Sequence, residues 1–132
     1  MTKELMDKAD IALASARLLL DAQDSDGATN RAYYAMYDAA TAALQWVGPA
    51  TPENRTKSHS GLIGGFGLNL VQTGRLSAEL GRSLNRIHEL RLTADYLAEP
   101  VPLDKAKWAI EEAERFVAAI RELLNQSMSG LD

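Results

Sequence analysis

His88, Arg91 and Asp95 fall three and then four residues apart, a spacing that sets all three on one face of a helix. They belong to the stretch I-H-E-L-R-L-T-A-D-Y at 87–96, which packs several ionisable groups into an otherwise apolar helical pattern. Three chemistries fit such a strip. Arg91 and Asp95 can form an ion pair that closes the helix end, with His88 a surface residue. Alternatively the strip performs acid–base catalysis on RNA, His88 or Tyr96 moving a proton while Arg91 stabilises charge developing on a phosphate. In the third reading Arg91 and Arg31 hold a phosphate or a partner carboxylate without turnover. Lys57 and His59 form a second constellation, placed where a helix begins and its free backbone N–H groups favour anions. A histidine in that place serves equally well as a surface or capping residue, and spacing alone does not join the two groups.

Helices have to position these side chains. Leu5, Ala9, Ala12, Leu13, Ala16, Leu19 and Leu20 recur at helical spacing and predict a first helix over 2–23 with Thr2 as N-cap. Asp24-Ser25-Asp26-Gly27 reads as a tight turn. A second helix follows over 28–47 and stops at Gly48-Pro49. One of its faces is lined by Ala32, Ala35, Met36, Ala39, Ala43 and Leu44, small enough for a neighbouring helix to approach closely. Another carries Asn30, Tyr34, Tyr37 and Thr41, whose polar atoms need partners if buried. Arg31 sits early in this helix, where a cation opposes the macrodipole, and so invites a carboxylate partner such as Asp95 or an anionic ligand.

The segment 48–57 reads as an exposed loop. Ser58 is placed to cap a third helix running to Val71, in which four glycines at 61, 64, 65 and 67 each cost about 1 kcal/mol relative to alanine. That helix is expected to be the least stable and to be distorted. Its order G-L-I-G-G-F-G lacks the preceding strand and the Lys-Ser/Thr ending of a phosphate-binding loop. Ser77 caps a fourth helix carrying Leu80, Leu84, Ile87, Leu90 and Ala94 and ending before Pro100. A fifth, amphipathic helix covers 103–126. The expected fold class is all-α, an antiparallel up-down bundle of four long helices plus one short helix, in a single domain over 1–132.

Composition narrows the chemistry. Cysteine is absent and there are two histidines, so disulfides and thiolate chemistry are excluded and no cofactor is expected. The N-terminus is charged and no apolar run approaches the roughly 20 residues that cross a bilayer, so the expectation is a cytoplasmic protein without a membrane partner. A net charge of −4 argues against a general nucleic-acid coat. The charge is uneven: residues 1–26 hold three basic and six acidic side chains, 27–95 seven and five, and 96–132 four and seven. The mildly basic middle leaves room for a local anion site.

N-R-A-Y-Y-A-M-Y at 30–37, K-S-H-S-G-L at 57–62, G-R-L at 74–76 and R-L-T-A-D-Y at 91–96 together resemble the HEPN superfamily, in its branch of small prokaryotic proteins with R-A-Y-Y-A-M and R-x-x-A-D-Y signatures. The resemblance spans Ala9 to about Leu124. It implies a four-helix bundle with a short extra helix, commonly a homodimer and often partnered by a minimal nucleotidyltransferase. It further implies either a metal-independent ribonuclease of toxin–antitoxin or defence systems, or a non-catalytic nucleotide- or protein-binding module. Active relatives carry an arginine followed after four to six residues by histidine. Arg91 matches that arginine, while Tyr96 stands where the histidine is expected and no histidine follows. Arg82 and His88 satisfy the spacing, but six helical residues leave them about 120° apart. The candidate catalytic residues are therefore Arg91, Asp95, Tyr96 and His59, with Arg31, Tyr34, Lys57 and His88 as binding residues and RNA or a nucleotide as the ligand.

Overall fold

The computed structural model describes residues 2–47, 58–97 and 99–130, with side chains to 126. Five helices follow in order: α1 (Thr2–Asp21), α2 (Ser25–Val47), α3 (His59–Phe66), α4 (Ala78–Tyr96) and α5 (Leu103–Gly130), with a π-helical turn at Gly67–Val71 continuing α3. The all-α bundle matches the expected class. The predicted loop 48–57, and Lys57 with it, lies outside the described residues.

α2 is the central helix and packs against each of the other four. Its buried alanines 28, 32, 35, 39, 42 and 43 face Ala9, Ala12 and Ala16 of α1 and Ala106, Ala109 and Ala113 of α5 in one core. Side chains this small let helix backbones approach closely, and larger ones fill the ends of the core. Phe66 of α3 stacks on Phe116 of α5 with ring centres 5.2 Å apart, so the short helix is anchored through its one large buried ring. Between α1 and α5, Arg121 forks onto Asp10 at 2.9 and 3.0 Å and Arg17 pairs with Glu114.

α2 begins three residues earlier than its sequence predicts. Gln23 takes a left-handed φ of 64° and the Asp24 N–H donates to the Leu19 carbonyl, which closes α1 in a Schellman turn. Asp24 then caps α2, accepting from the Gly27 N–H at 2.9 Å, and Ser25-Asp26-Gly27 become its first turn. The Asp26 carboxylate accepts the Val101 N–H at 2.8 Å, which ties the segment after α4 to the start of α2 and sets the two helices antiparallel. Ser58 caps α3 as expected, its hydroxyl accepting from the Gly61 N–H at 3.0 Å. Ser77 occupies the cap position of α4 in extended conformation, but its side chain makes no cap hydrogen bond. The distortion expected of the glycine-rich helix is the π turn, after which Gly74 turns the chain at φ 80°.

Candidate active site at the α2–α3–α4 seam

Tyr33 organises the site. It is fully buried, and its position in the α2 first half places it opposite both the start of α3 and the middle of α4. Its hydroxyl lies 2.6 Å from His59 Nδ1, and its ring centre lies 5.4 Å from that of His59 and 5.3 Å from that of His88. The two imidazoles stack on each other, centres 5.5 Å apart and planes 18° from parallel. The Arg91 guanidinium completes the cluster, 4.9 Å from the Tyr33 ring centre and 5.7 Å from that of Tyr34. Tyr34 and Tyr37 close the flank, both in ring contact with Tyr33 and His59. The two histidine groups that sequence spacing left separate therefore meet.

Electrostatics follow from this packing. Burial holds both histidines below their ordinary value, and the Arg91 charge pushes each further in the same direction. For His88 the neighbouring His59 adds to the effect and Glu89 opposes it. Burial pushes the Tyr33 phenol well up, so it stays protonated and hydrogen-bonded to His59 Nδ1. With the phenol as donor, neutral His59 carries its own proton on Nε2. Among the described residues three buried polar atoms have no hydrogen-bond partner: Asn30 Oδ1, His88 Nδ1 and Arg91 Nε. Unmet groups of this kind cost free energy, and two of the three belong to the cluster.

The lowered histidines set a pH dependence. The unfolded chain takes up protons near 6.5 that the folded site resists, so the stability they contribute is present above that value and is lost as pH falls from there through the lower folded-state values. Urea midpoints should drop between pH 7.5 and 5.5, and a His59→Gln/His88→Gln variant should show a flatter dependence. An equally steep fall in the variant would place the proton uptake elsewhere.

The remaining sequence candidates sort by position. Asp95 lies one turn from Arg91, at 3.6 Å, and is half exposed while Arg91 is largely covered. It is therefore the carboxylate of Arg91 and not of Arg31. Arg31 is exposed and lies near Asp38, on the side of α2 facing α1. Tyr96 is 83% exposed at the end of α4 and makes no ring contact or hydrogen bond among the described residues. His88, expected on the helix surface in one reading, is half-buried inside the cluster. Tyr33 escaped the sequence reading, although Asn30, Tyr33 and Tyr37 share one helical face as fully as the line through Tyr34 does. Among the described residues no group of three or more His, Asp or Glu side chains is placed to hold a metal ion. No helix among them is long and apolar enough to cross a membrane.

A family model described as the HEPN domain matches residues 2–124. A UPF0332 protein of Gloeobacter violaceus is 35% identical over 94% of this chain and 96% of its own. A protein of Methanocaldococcus jannaschii bearing the name "Putative toxin" is 33% identical over 92% of this chain and 87% of its own. A UPF0332 protein of Thermotoga maritima is 36% identical over 85% of this chain and 82% of its own.

Proposed function

The chain is a member of the HEPN family, and from that premise we propose that it is a toxin-type protein that cleaves RNA without a metal ion at the His59–His88–Arg91 cluster. The observation that carries this reading is the stacked histidine pair, 5.5 Å apart, packed on the Tyr33 ring that the Arg91 guanidinium also covers. In this mechanism His88, kept neutral by its surroundings, takes the proton of a ribose 2′-hydroxyl. The 2′ oxygen attacks the adjacent phosphorus, and the bond from phosphorus to the 5′ oxygen breaks. Water protonates the departing 5′ oxygen, leaving a 2′,3′-cyclic phosphate and a 5′-hydroxyl, and His88 returns its proton to solvent. Arg91 and the His59 Nε2–H donate to the phosphate oxygens as charge accumulates on them. Asp95 orients Arg91, and Tyr33 fixes the His59 tautomer.

These roles give the missing histidine of the R-x-x-A-D-Y motif a substitute from outside that motif, and Tyr96 has no part in the proton transfer. The relative named as a toxin supports a growth-arresting role. The family resemblance supports a homodimer acting with a minimal nucleotidyltransferase in the cytoplasm. Expression of the wild-type chain should arrest growth of a bacterial host, co-expression of that partner should relieve the arrest, and Arg91→Ala should not arrest growth at all. Arrest of equal strength by wild type and Arg91→Ala would remove this site from the function.

The close hold of Arg91 between two tyrosine rings and Asp95 favours a second reading, a nucleotide-binding module without turnover. In that case nucleotides should raise the melting temperature while RNA stays intact.

A further inference from the structure

Beside Tyr34, α1 and α2 border an open groove of about 300 Å³ lined by Lys8, Ile11, Arg31, Tyr34 and Asp38. Several features make it more than a surface depression. Six of the twelve described Lys and Arg side chains pair with a carboxylate: Lys3, Arg17, Arg82, Arg91, Arg115 and Arg121. Lys8 and Arg31 are among the six that form no ion pair in the described residues, and these two line one groove together. Asp38 lies close enough for both charges to act on it, half-buried at the groove wall, so the lining carries two cations against one acid. Ile11 adds an apolar side chain that is 65% exposed. Tyr34 belongs to the groove and to the cluster at once, since the Arg91 guanidinium stands 5.7 Å from its ring centre. The groove and the Arg91 site thus share the Tyr34 side chain.

We infer that the α1–α2 groove is a second nucleotide subsite, so that single-stranded RNA bound at Arg91 continues across Tyr34 and places its neighbouring phosphate between Lys8 and Arg31. The inference rests on the RNA reading above and extends it. An unpaired base is sequence-tolerant in its stacking, and Tyr34 together with Ile11 offers it a ring edge and an apolar floor. Asp38 accepts a hydrogen bond from a ribose hydroxyl or a base N–H, the polar groups that a strand would bring between its phosphates.

The test compares a fluorescent single-stranded 2′-O-methyl RNA octamer, which has no 2′-hydroxyl to attack, with a ribonucleoside 3′-monophosphate on wild-type protein, Lys8→Ala/Arg31→Ala and Arg91→Ala. Both groove side chains are exposed, and circular dichroism would confirm that the double variant folds. The double variant should lose about tenfold of the wild-type preference for the octamer over the mononucleotide. Its dependence of log affinity on log salt should flatten by about 0.7, the value for one neutralised phosphate on a single strand. An unchanged preference with an unchanged salt slope would overturn the groove assignment. If Arg91→Ala bound both ligands as tightly as wild type, the catalytic-site reading itself would fail, which separates that failure from a failure of the groove alone. Equal weakening of both ligands in the double variant, without loss of the octamer preference, would also overturn the inference, because it would show a general charge effect.

Discussion

Alanine at His59 and His88 together is expected to slow RNA cleavage by about 10²–10⁴-fold, the usual contribution of a positioned proton-transfer group. The double substitution should cost little more than His88→Ala alone, because groups that act on one transition state are not additive. The pH profile tells the roles apart. His88 must be neutral to accept a proton and its surroundings hold it below its ordinary 6.5, so cleavage should be at full rate at neutral pH and fall in more acidic solution. His88→Ala should erase that acidic limb, and His59→Ala should lower the rate while keeping it. A limb that survives in His88→Ala would transfer the base role to another residue. Both imidazoles are half-buried, so melting curves of the variants are needed beside the rates, and each should remain folded.

Tyr33→Ala should cost about 3–5 kcal/mol of stability, the range for removing a fully buried aromatic ring. Tyr33 contacts both histidines, Arg91, Tyr34 and Tyr37, so the loss is a cavity at the junction of three helices rather than at one edge. Tyr33→Phe separates packing from polarity. It keeps the ring and removes the hydroxyl 2.6 Å from His59 Nδ1, a hydrogen bond to a half-buried ring nitrogen that contributes about 0.5–1.5 kcal/mol. The phenylalanine variant should fold, lose cleavage through an unfixed His59, and show a smaller shift of the urea midpoint than alanine. Equal midpoint shifts in both variants would mean that the ring contributes nothing beyond its hydroxyl.

The helices were legible because burial leaves its period in the sequence. The alanines of α1, α2 and α5 and the spacing of Leu84, Ile87 and Leu90 on α4 each mark one face. The Arg91–Asp95 pair was legible for the same reason, since residues four apart on a helix are neighbours. The start of α2 was not. Ser25, Asp26 and Gly27 have turn-forming side chains, but Asp24 caps the helix and Asp26 holds the Val101 N–H from 75 residues away, contacts that local propensity does not contain. The heart of the site was hidden by the same kind of distance. His59 and His88 are 29 residues apart, on separate helices whose approach is set by Phe66, Leu84 and Ile87 packing into the common core. Tyr96 stood out by its place in the motif, but it follows Asp95 on the last turn of α4, where the helix runs out toward solvent and Leu97 is exposed beside it.

Cleavage of a single-stranded RNA by the purified chain in excess EDTA, with wild type and Arg91→Ala side by side, tests the central claim most directly. The cluster predicts fragments ending in 2′,3′-cyclic phosphate from wild type and a rate lower by about 10²–10³-fold from Arg91→Ala, the loss expected when one charge-stabilising donor is removed. Intact RNA with wild type, or equal cleavage by the two proteins, would contradict it.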